Sequence, residues 1–215
     1  MRDAYHEDLD QVTNQLVEMA RLVGSAAGRA TTALLDADLP LAEAVIEGDE
    51  VIDALYRELE QRAFELLARQ QPVASDLRVL VTSLRMVADL ERSGDLALHL
   101  AKLARRRYPS SAVPPELRAT ILEMGQVAER IVAKAGSVIS ARDVDIAVEL
   151  EKDDDVMDDL HRRLFTVMLD DEWPYGVDTA IDIALAGRYY ERFADHAVSV
   201  ARRVVYLVTG ERVVV

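Results

Sequence analysis

The chain contains no cysteine, and this absence limits both its covalent structure and the metal chemistry open to it. Disulfide bonds, thiolate metal sites and cysteine nucleophiles are all excluded, so any metal must be held by oxygen and nitrogen. No apolar run reaches the roughly 18 residues that span a bilayer, and the first residues lack the basic start and apolar centre of a signal peptide. We therefore expect a cytoplasmic chain without a transmembrane segment.

Glycine, proline and aromatic residues are also scarce, with 9 Gly, 6 Pro and 5% aromatics in 215 residues. Alanine, leucine, valine, glutamate, aspartate and arginine are abundant instead, which is typical of long helices and not of a sheet. Half of the residues are apolar, enough to bury a core. The composition predicts an all-α protein.

Basic residues are few, because the chain has 25 Lys and Arg against 39 Asp and Glu, which gives a net charge of −14. A chain this acidic is a poor ligand for a phosphate backbone, so no nucleic-acid partner is expected. The basic residues form two clusters, Lys102 with Arg105–Arg107, and Arg202 with Arg203. We interpret both as cations that complement the dipole at the C-terminal ends of helices.

Apolar residues recur at three- and four-residue spacing in six segments, which predicts six helices. Pro40, Pro72 and the stretch Tyr108–Pro115 interrupt that pattern, and Asp38 is placed to cap the second helix. The predicted helices are 3–36, 39–70, 73–107, 116–140, 145–169 and 176–208.

The two halves of the chain are copies of each other. The run E-R-S-G-D at 91–95 returns as E-R-F-A-D at 191–195, and D-E-V-I-D-A-L at 49–55 aligns with D-D-V-M-D-D-L at 154–160. A repeat of this length indicates two small lobes rather than one larger fold. We predict two tandem, pseudo-symmetric three-helix bundles, residues 1–107 and 113–215, separated by the proline-rich linker.

The repeat also predicts where acidic side chains meet. If the second and third helices of each copy fold back on each other, residues at equal distance from the turn lie level, because both helices rise about 1.5 Å per residue. Each copy then brings two aspartates of one helix level with a glutamate and an aspartate of the next. The predicted layers are Asp49, Asp53, Glu91 and Asp95 in the first copy and Asp154, Asp158, Glu191 and Asp195 in the second.

Such a layer repels itself unless a cation occupies it. Carboxylate ligands suit ions such as Mg²⁺, Mn²⁺, Ca²⁺, Fe or Zn²⁺, whose identity stays open, and His99 and His196 lie close enough in sequence to add a nitrogen. A single acidic pair proves nothing, since chance supplies about seven such i, i+4 pairs in this composition. The recurrence of the layer in both copies favours metal binding.

The same acidic, helical sequence is compatible with two other functions. A metal-free helical adaptor would use the same acidic faces to bind basic surfaces of partner proteins. A ferritin-like di-iron protein needs two Glu-x-x-His motifs, and the chain has only Asp158-x-x-His161. No phosphate-binding G-x-x-x-x-G-K-[ST] loop or Ser-His-Asp arrangement is present, so an enzyme is not expected.

Three runs carry a family resemblance: R-Q-Q-P-V-A-S-D-L-R at 69–78, A-D-L-E-R-S-G-D at 88–95 and Y-E-R-F-A-D-H-A at 190–197. They resemble PhoU proteins, and the resemblance extends over essentially the whole chain. It implies metal clusters on the repeated acidic motifs and a regulatory role without catalysis. It further implies coupling of the ATPase of a phosphate ABC transporter to a sensor histidine kinase, with repression of the starvation response when phosphate is plentiful.

The chain departs from the family pattern at three positions in these motifs. Leu96 stands where the pattern often has His, and Phe193 and Ala194 replace Ile-Gly. The number and identity of bound metals therefore need not be the same in the two lobes. Whether the chain forms a homodimer is left open.

Overall fold

The structure, a computed structural model, describes residues 2–70, 72 and 75–211, and within them the chain forms six long helices and no strand. The predicted all-α class is confirmed. The helices are α1 (Arg2–Asp36), α2 (Leu39–Gln70), α3 (Ser75–Arg107), α4 (Arg118–Ala141), α5 (Val144–Met168) and α6 (Gly176–Thr209).

The helix ends follow from local chemistry. Asp38 accepts a hydrogen bond from the Leu41 amide at 2.9 Å, which confirms it as the cap of α2. The fourth helix starts two residues later than predicted, because Pro115–Leu117 forms a single turn of 3₁₀ helix in front of it. The predicted start of the third helix at Val73 lies outside the described residues.

The six helices pack in two layers. Helices α2, α3, α6 and α5 lie side by side in that order, and α1 and α4 lie together behind them, each against the hairpin of its own copy. The two three-helix bundles meet where α1 packs on α4 and α3 packs on α6. One continuous apolar core runs through both bundles.

The back layer depends on a close approach of α1 and α4 at a glycine. A Cβ added to Gly125 of α4 would lie 2.5 Å from the Thr31 side chain of α1. Thr31 has little room to move, because it is buried and its hydroxyl lies 2.7 Å from that of Tyr190 and 2.8 Å from the Ala27 carbonyl. Glycine is therefore the one residue that fits at position 125 without displacing Thr31.

We expect Gly125→Ala to lower the free energy of unfolding by about 1–3 kcal/mol, the usual cost of overpacking a core. Gly48→Ala on α2 is the matched control, because a Cβ there meets nothing within 4 Å. That change should raise stability by about 0.5–1 kcal/mol through its helix propensity. Urea denaturation of both variants measures the difference, and equal effects would show that the α1–α4 contact is not tight.

No helix in the described part of the chain is both long and apolar enough to cross a membrane.

Candidate metal centres

The first acidic layer, Asp49, Asp53, Glu91 and Asp95, lies in the groove between α2 and α3. Burial first, and then the charges of Asp53 and Asp95, raise the pKa of Asp49 to about 6, against smaller opposing effects of Lys102 and His99. The pKa of Glu91 is also raised, first by burial and then by Asp95, with contributions from Asp53 and Asp49. The four carboxylates are therefore close enough to act on one another.

Gly94 allows the two helices of this layer to approach. A Cβ at Gly94 would lie 3.2 Å from the Ile52 side chain and 3.5 Å from Oδ1 of Asp49. At the equivalent position of the second copy Ala194 is fully buried. A side chain at position 94 would therefore press on Ile52 and contact Asp49, whereas the second copy accommodates a methyl group at the equivalent position.

The second acidic layer, Asp154, Asp158, Glu191 and Asp195, lies between α5 and α6. Burial first, and then the charges of Asp195 and Asp158, raise the pKa of Asp154 to about 6, against an opposing effect of Arg202. Asp154 thus repeats the behaviour of Asp49 at the same place in the duplicated motif. Glu191 has its own partner, because Arg188 donates hydrogen bonds to both of its oxygens.

Arginines partly neutralise both layers. In the first, Arg92 lies 3.0 Å from Asp95 and 3.6 Å from Glu91, and Arg57 lies 3.9 Å from Asp53. Within the described residues Asp49 of the first layer has no ion-pair partner, and in the second layer Asp154, Asp158 and Asp195 have none. Asp49 and Asp154 are the two whose pKa is raised to about 6, so they are the first candidates for a cation.

The donor set fits a hard cation without forming a finished site. All eight carboxylates offer oxygen, which Mg²⁺ and Mn²⁺ prefer, and the space at Gly94 would be filled by any other residue. Across residues 2–70, 72 and 75–211, however, no three His, Asp or Glu side chains are already grouped closely enough to hold an ion. Mutual repulsion keeps such carboxylates apart until a cation draws them together. Metal binding by these residues stays a prediction.

The histidines have other contacts. His99 makes a hydrogen-bond contact with the Asp95 carbonyl through Nδ1 and lies against the ring of Tyr189. Nδ1 of His196 lies 3.2 Å from Asp89 of the opposite lobe, so this ring nitrogen faces α3 and not the second acidic layer. His161 packs edge-on against a phenylalanine of its own helix. The side chain of His6 lies outside the described residues.

The interpretation of the arginine clusters as dipole partners is incomplete. Arg106 and Arg107 both donate to Asp182, a fully buried carboxylate of α6. Arg203 donates to Asp89 of α3 at 2.7 Å. Moreover, α6 continues to Thr209, well past Arg203, and a dipole acts only within the last turn. These arginines bind the lobes together, which no short-range sequence pattern indicates.

The raised pKa values predict how stability depends on pH in metal-free protein. At pH 5 folded Asp49 and Asp154 hold protons that the unfolded chain, with an aspartate pKa near 3.8, has released. The free energy of unfolding contributed by these groups therefore falls as pH rises from about 4 to about 6. Allowing for solvent screening, we expect a loss of about 1–2 kcal/mol for the pair.

Urea denaturation at pH 4 and pH 7.5 in the presence of a chelator measures this loss. Between the two pH values, the free energy of unfolding of D49N/D154N should fall by about 1–2 kcal/mol less than that of the parent. A variant with the same pH dependence as the parent would show that the two carboxylates are not destabilised by their surroundings.

Comparisons with known proteins agree with this architecture. The family model described as the PhoU domain matches twice, over residues 16–104 and 121–204. A protein of Mycobacterium tuberculosis named phosphate-specific transport system accessory protein PhoU homolog 2 is 52% identical over 210 residues, covering 98% of this chain and 99% of the relative. A PhoU homolog of Pseudomonas aeruginosa is 33% identical over 212 residues, covering 96% and 86%.

Solved structures show the same fold. The crystal structure of PhoU from Pseudomonas aeruginosa superposes with a TM-score of 0.86 at 32% identity, covering 96% of this chain and all of that one. The phosphate transport system regulatory protein PhoU from Streptococcus pneumoniae gives a TM-score of 0.84 at 25% identity, covering 98% and 100%. The duplicated all-α fold is thus that of a class of proteins whose curated members are named accessory proteins of phosphate transport. This chain belongs to the PhoU family.

Proposed function

We propose that the protein is a non-catalytic cytoplasmic regulator of phosphate uptake. Its curated relatives are named accessory proteins of a phosphate-specific transport system, and a relative of known structure is titled a regulatory protein of phosphate transport. In this role it couples the transporter ATPase to a sensor histidine kinase and represses the starvation response when phosphate is plentiful. The two family matches, which together cover most of the chain, carry this proposal.

The acidic layers bind the metal ions of this regulator. The supporting observation is that Asp49 and Asp154, at equivalent places in the two copies, are half-buried, have no ion pair within the described residues and are destabilised as carboxylates by their neighbours. The same electrostatically unfavourable group of carboxylates occurs in both copies. A bound cation, which removes the repulsion between them, explains this best. On binding, the ion would supply positive charge between paired helices and fix the spacing of α2 with α3 and of α5 with α6.

A metal-free adaptor is the second candidate. It is supported by the absence of a finished ligand set among the described residues and by the arginines that already neutralise Asp95 and Glu191. In that role the acidic layers would face basic surfaces of partner proteins directly.

Deleting the gene in its own bacterium tests the regulatory role. We expect phosphate-starvation genes to be expressed under ample phosphate, and the parental gene supplied in trans to restore repression. Normal repression in the deletion strain, after any second PhoU gene has also been removed, would contradict the role.

The same strain separates the two candidates. A variant with all eight layer carboxylates changed to amides should fold but fail to restore repression if metal is needed. A variant that binds no metal and still represses fully would favour the adaptor.

A further inference from the structure

A basic groove runs between α3 and α6 in the middle of the front layer, flanked by the two acidic layers. It contains two hollows, one of about 500 Å³ and one of about 190 Å³, and the His99 side chain lines both. The larger hollow, called here the basic cleft, is lined by His99, Lys102, Leu103, Arg105, Arg106, Leu185 and Tyr189. Its lining contains three Lys and Arg and no carboxylate, in a chain of net charge −14.

Helix geometry explains the concentration of charge. Lys102, Arg105 and Arg106 follow one another at i, i+3 and i+4, so their side chains emerge on one face of α3. Residues Leu185 and Tyr189 of the antiparallel helix α6 form the facing wall. The cleft is therefore cationic on one side and apolar with one aromatic ring on the other.

Two of the three cations have no partner. Lys102 and Arg105 are exposed, and within the described part of the chain no carboxylate lies within ion-pair distance of either. Arg106 is held in place by the buried Asp182, whose charge is also matched by Arg107. The nearest other acids belong to the first acidic layer.

The second copy provides an internal comparison, because the offset of 100 places Arg202, Val205 and Tyr206 where the first copy has the three cations. Arg202 is paired with Glu151 at 3.0 Å, and its neighbour Arg203 is paired with Asp89. The second copy thus pairs the arginines at these positions within the fold, whereas the first copy leaves Lys102 and Arg105 without an ion pair beside the larger hollow.

We propose that the basic cleft binds a phosphate-bearing anion. Lysine and arginine donate strong, charge-assisted hydrogen bonds to phosphate oxygens, and a fixed arginine such as Arg106 needs little ordering to do so. The volume lies within the roughly 300–1,000 Å³ of ordinary ligand sites and exceeds what one orthophosphate needs. Lys102 and Arg105 bind the phosphate groups, and Tyr189 packs against the remainder of the ligand. No residue of this site belongs to an acidic layer, although the charge of Lys102 acts on Asp49, and the site is independent of the regulatory role.

Isothermal titration of the full chain tests the proposal, with chelator present so that the acidic layers hold no metal. The probes are orthophosphate, tripolyphosphate and ATP at constant ionic strength, with sulfate and adenosine as controls. We expect at least one phosphate probe to bind with one-to-one stoichiometry and more tightly than sulfate. Binding of ATP but not of tripolyphosphate assigns a nucleotide, and the reverse assigns a phosphate chain.

Two double variants locate the site. K102Q/R105Q should weaken binding about tenfold or more, since it removes two charged donors. K152Q/R163Q, which removes the same charge from exposed positions of α5, should leave the affinity within about twofold. NMR shifts of the Tyr189 and His99 rings on titration give a readout independent of affinity. The proposal is overturned if no phosphate probe binds, if sulfate binds equally well, or if K102Q/R105Q binds as the parent does.

Discussion

The double variant R106A/R107A should be less stable than the parent by about 3–5 kcal/mol, because it leaves the carboxylate of Asp182 buried without a partner. The Asp182 side chain is only 2% exposed, whereas those of Arg106 and Arg107 are 58% and 33% exposed. In a chain of this length the loss corresponds to a fall in melting temperature of roughly 10 °C. Thermal and urea denaturation measure it.

Removing the carboxylate instead of the arginines should cost less stability. This difference would show that the cost comes from a buried charge without a partner. In D182N the arginines reach solvent and the buried group is neutral, so we expect a loss of about 1–2 kcal/mol. The triple variant R106A/R107A/D182L should recover much of the stability lost by the double variant, because no buried charge remains. A double variant that costs less than D182N would refute the view that this cluster holds the lobes together.

Adding metal should raise the melting temperature of chelator-treated protein. Saturation at one hundred times the dissociation constant contributes about 2.7 kcal/mol per site, and two independent layers would double that. In D49N/D53N/E91Q/D95N the shift should fall by about half, and amide substitution of all eight carboxylates should abolish it. Titrations with Mn²⁺, Mg²⁺ and Fe²⁺ by calorimetry and elemental analysis identify the ion.

The same substitutions should stabilise the metal-free protein, because each layer repels itself when empty. If a variant is more stable than the parent without metal, and added metal does not change its melting temperature, damage to the fold cannot explain the lost response. E43Q/E47Q is the matched control for D49N/D53N, since it removes an i, i+4 acidic pair from an exposed face of α2. If this control loses as much of the metal response as D49N/D53N does, the ions are bound by general surface charge.

Much of the fold could be predicted, because helices and their ends are governed by neighbours in sequence. The cap at Asp38 and the turn before α6 depend on residues within one or two turns. The proximity of Asp49 to Asp53 and Asp95 could also be predicted, because a helical hairpin fixes the register of its two arms. Whether those groups bind metal could not be settled in this way.

The ion pairs between the lobes could not be predicted, because they join residues 75 to 114 positions apart. On α6 the three- and four-residue spacing of apolar residues predicts a buried Ile181, yet Ile181 is half exposed and its neighbour Asp182 is buried. A helix that contacts three others has more than one buried side, and a single apolar stripe cannot describe it. The basic cleft was missed for the same reason, since its two walls come from different copies.

The pairing of helices between the lobes determines the internal symmetry of the molecule. Helix α1 packs on α4, its own counterpart, and α3 packs on α6, likewise its counterpart. Each such contact is isologous, which is the geometry of a two-fold symmetric dimer. One polypeptide thus contains within itself the kind of interface by which two identical subunits associate. The two sides differ in their side chains, because Arg202 is paired with Glu151 where Lys102 of the first half has no ion pair.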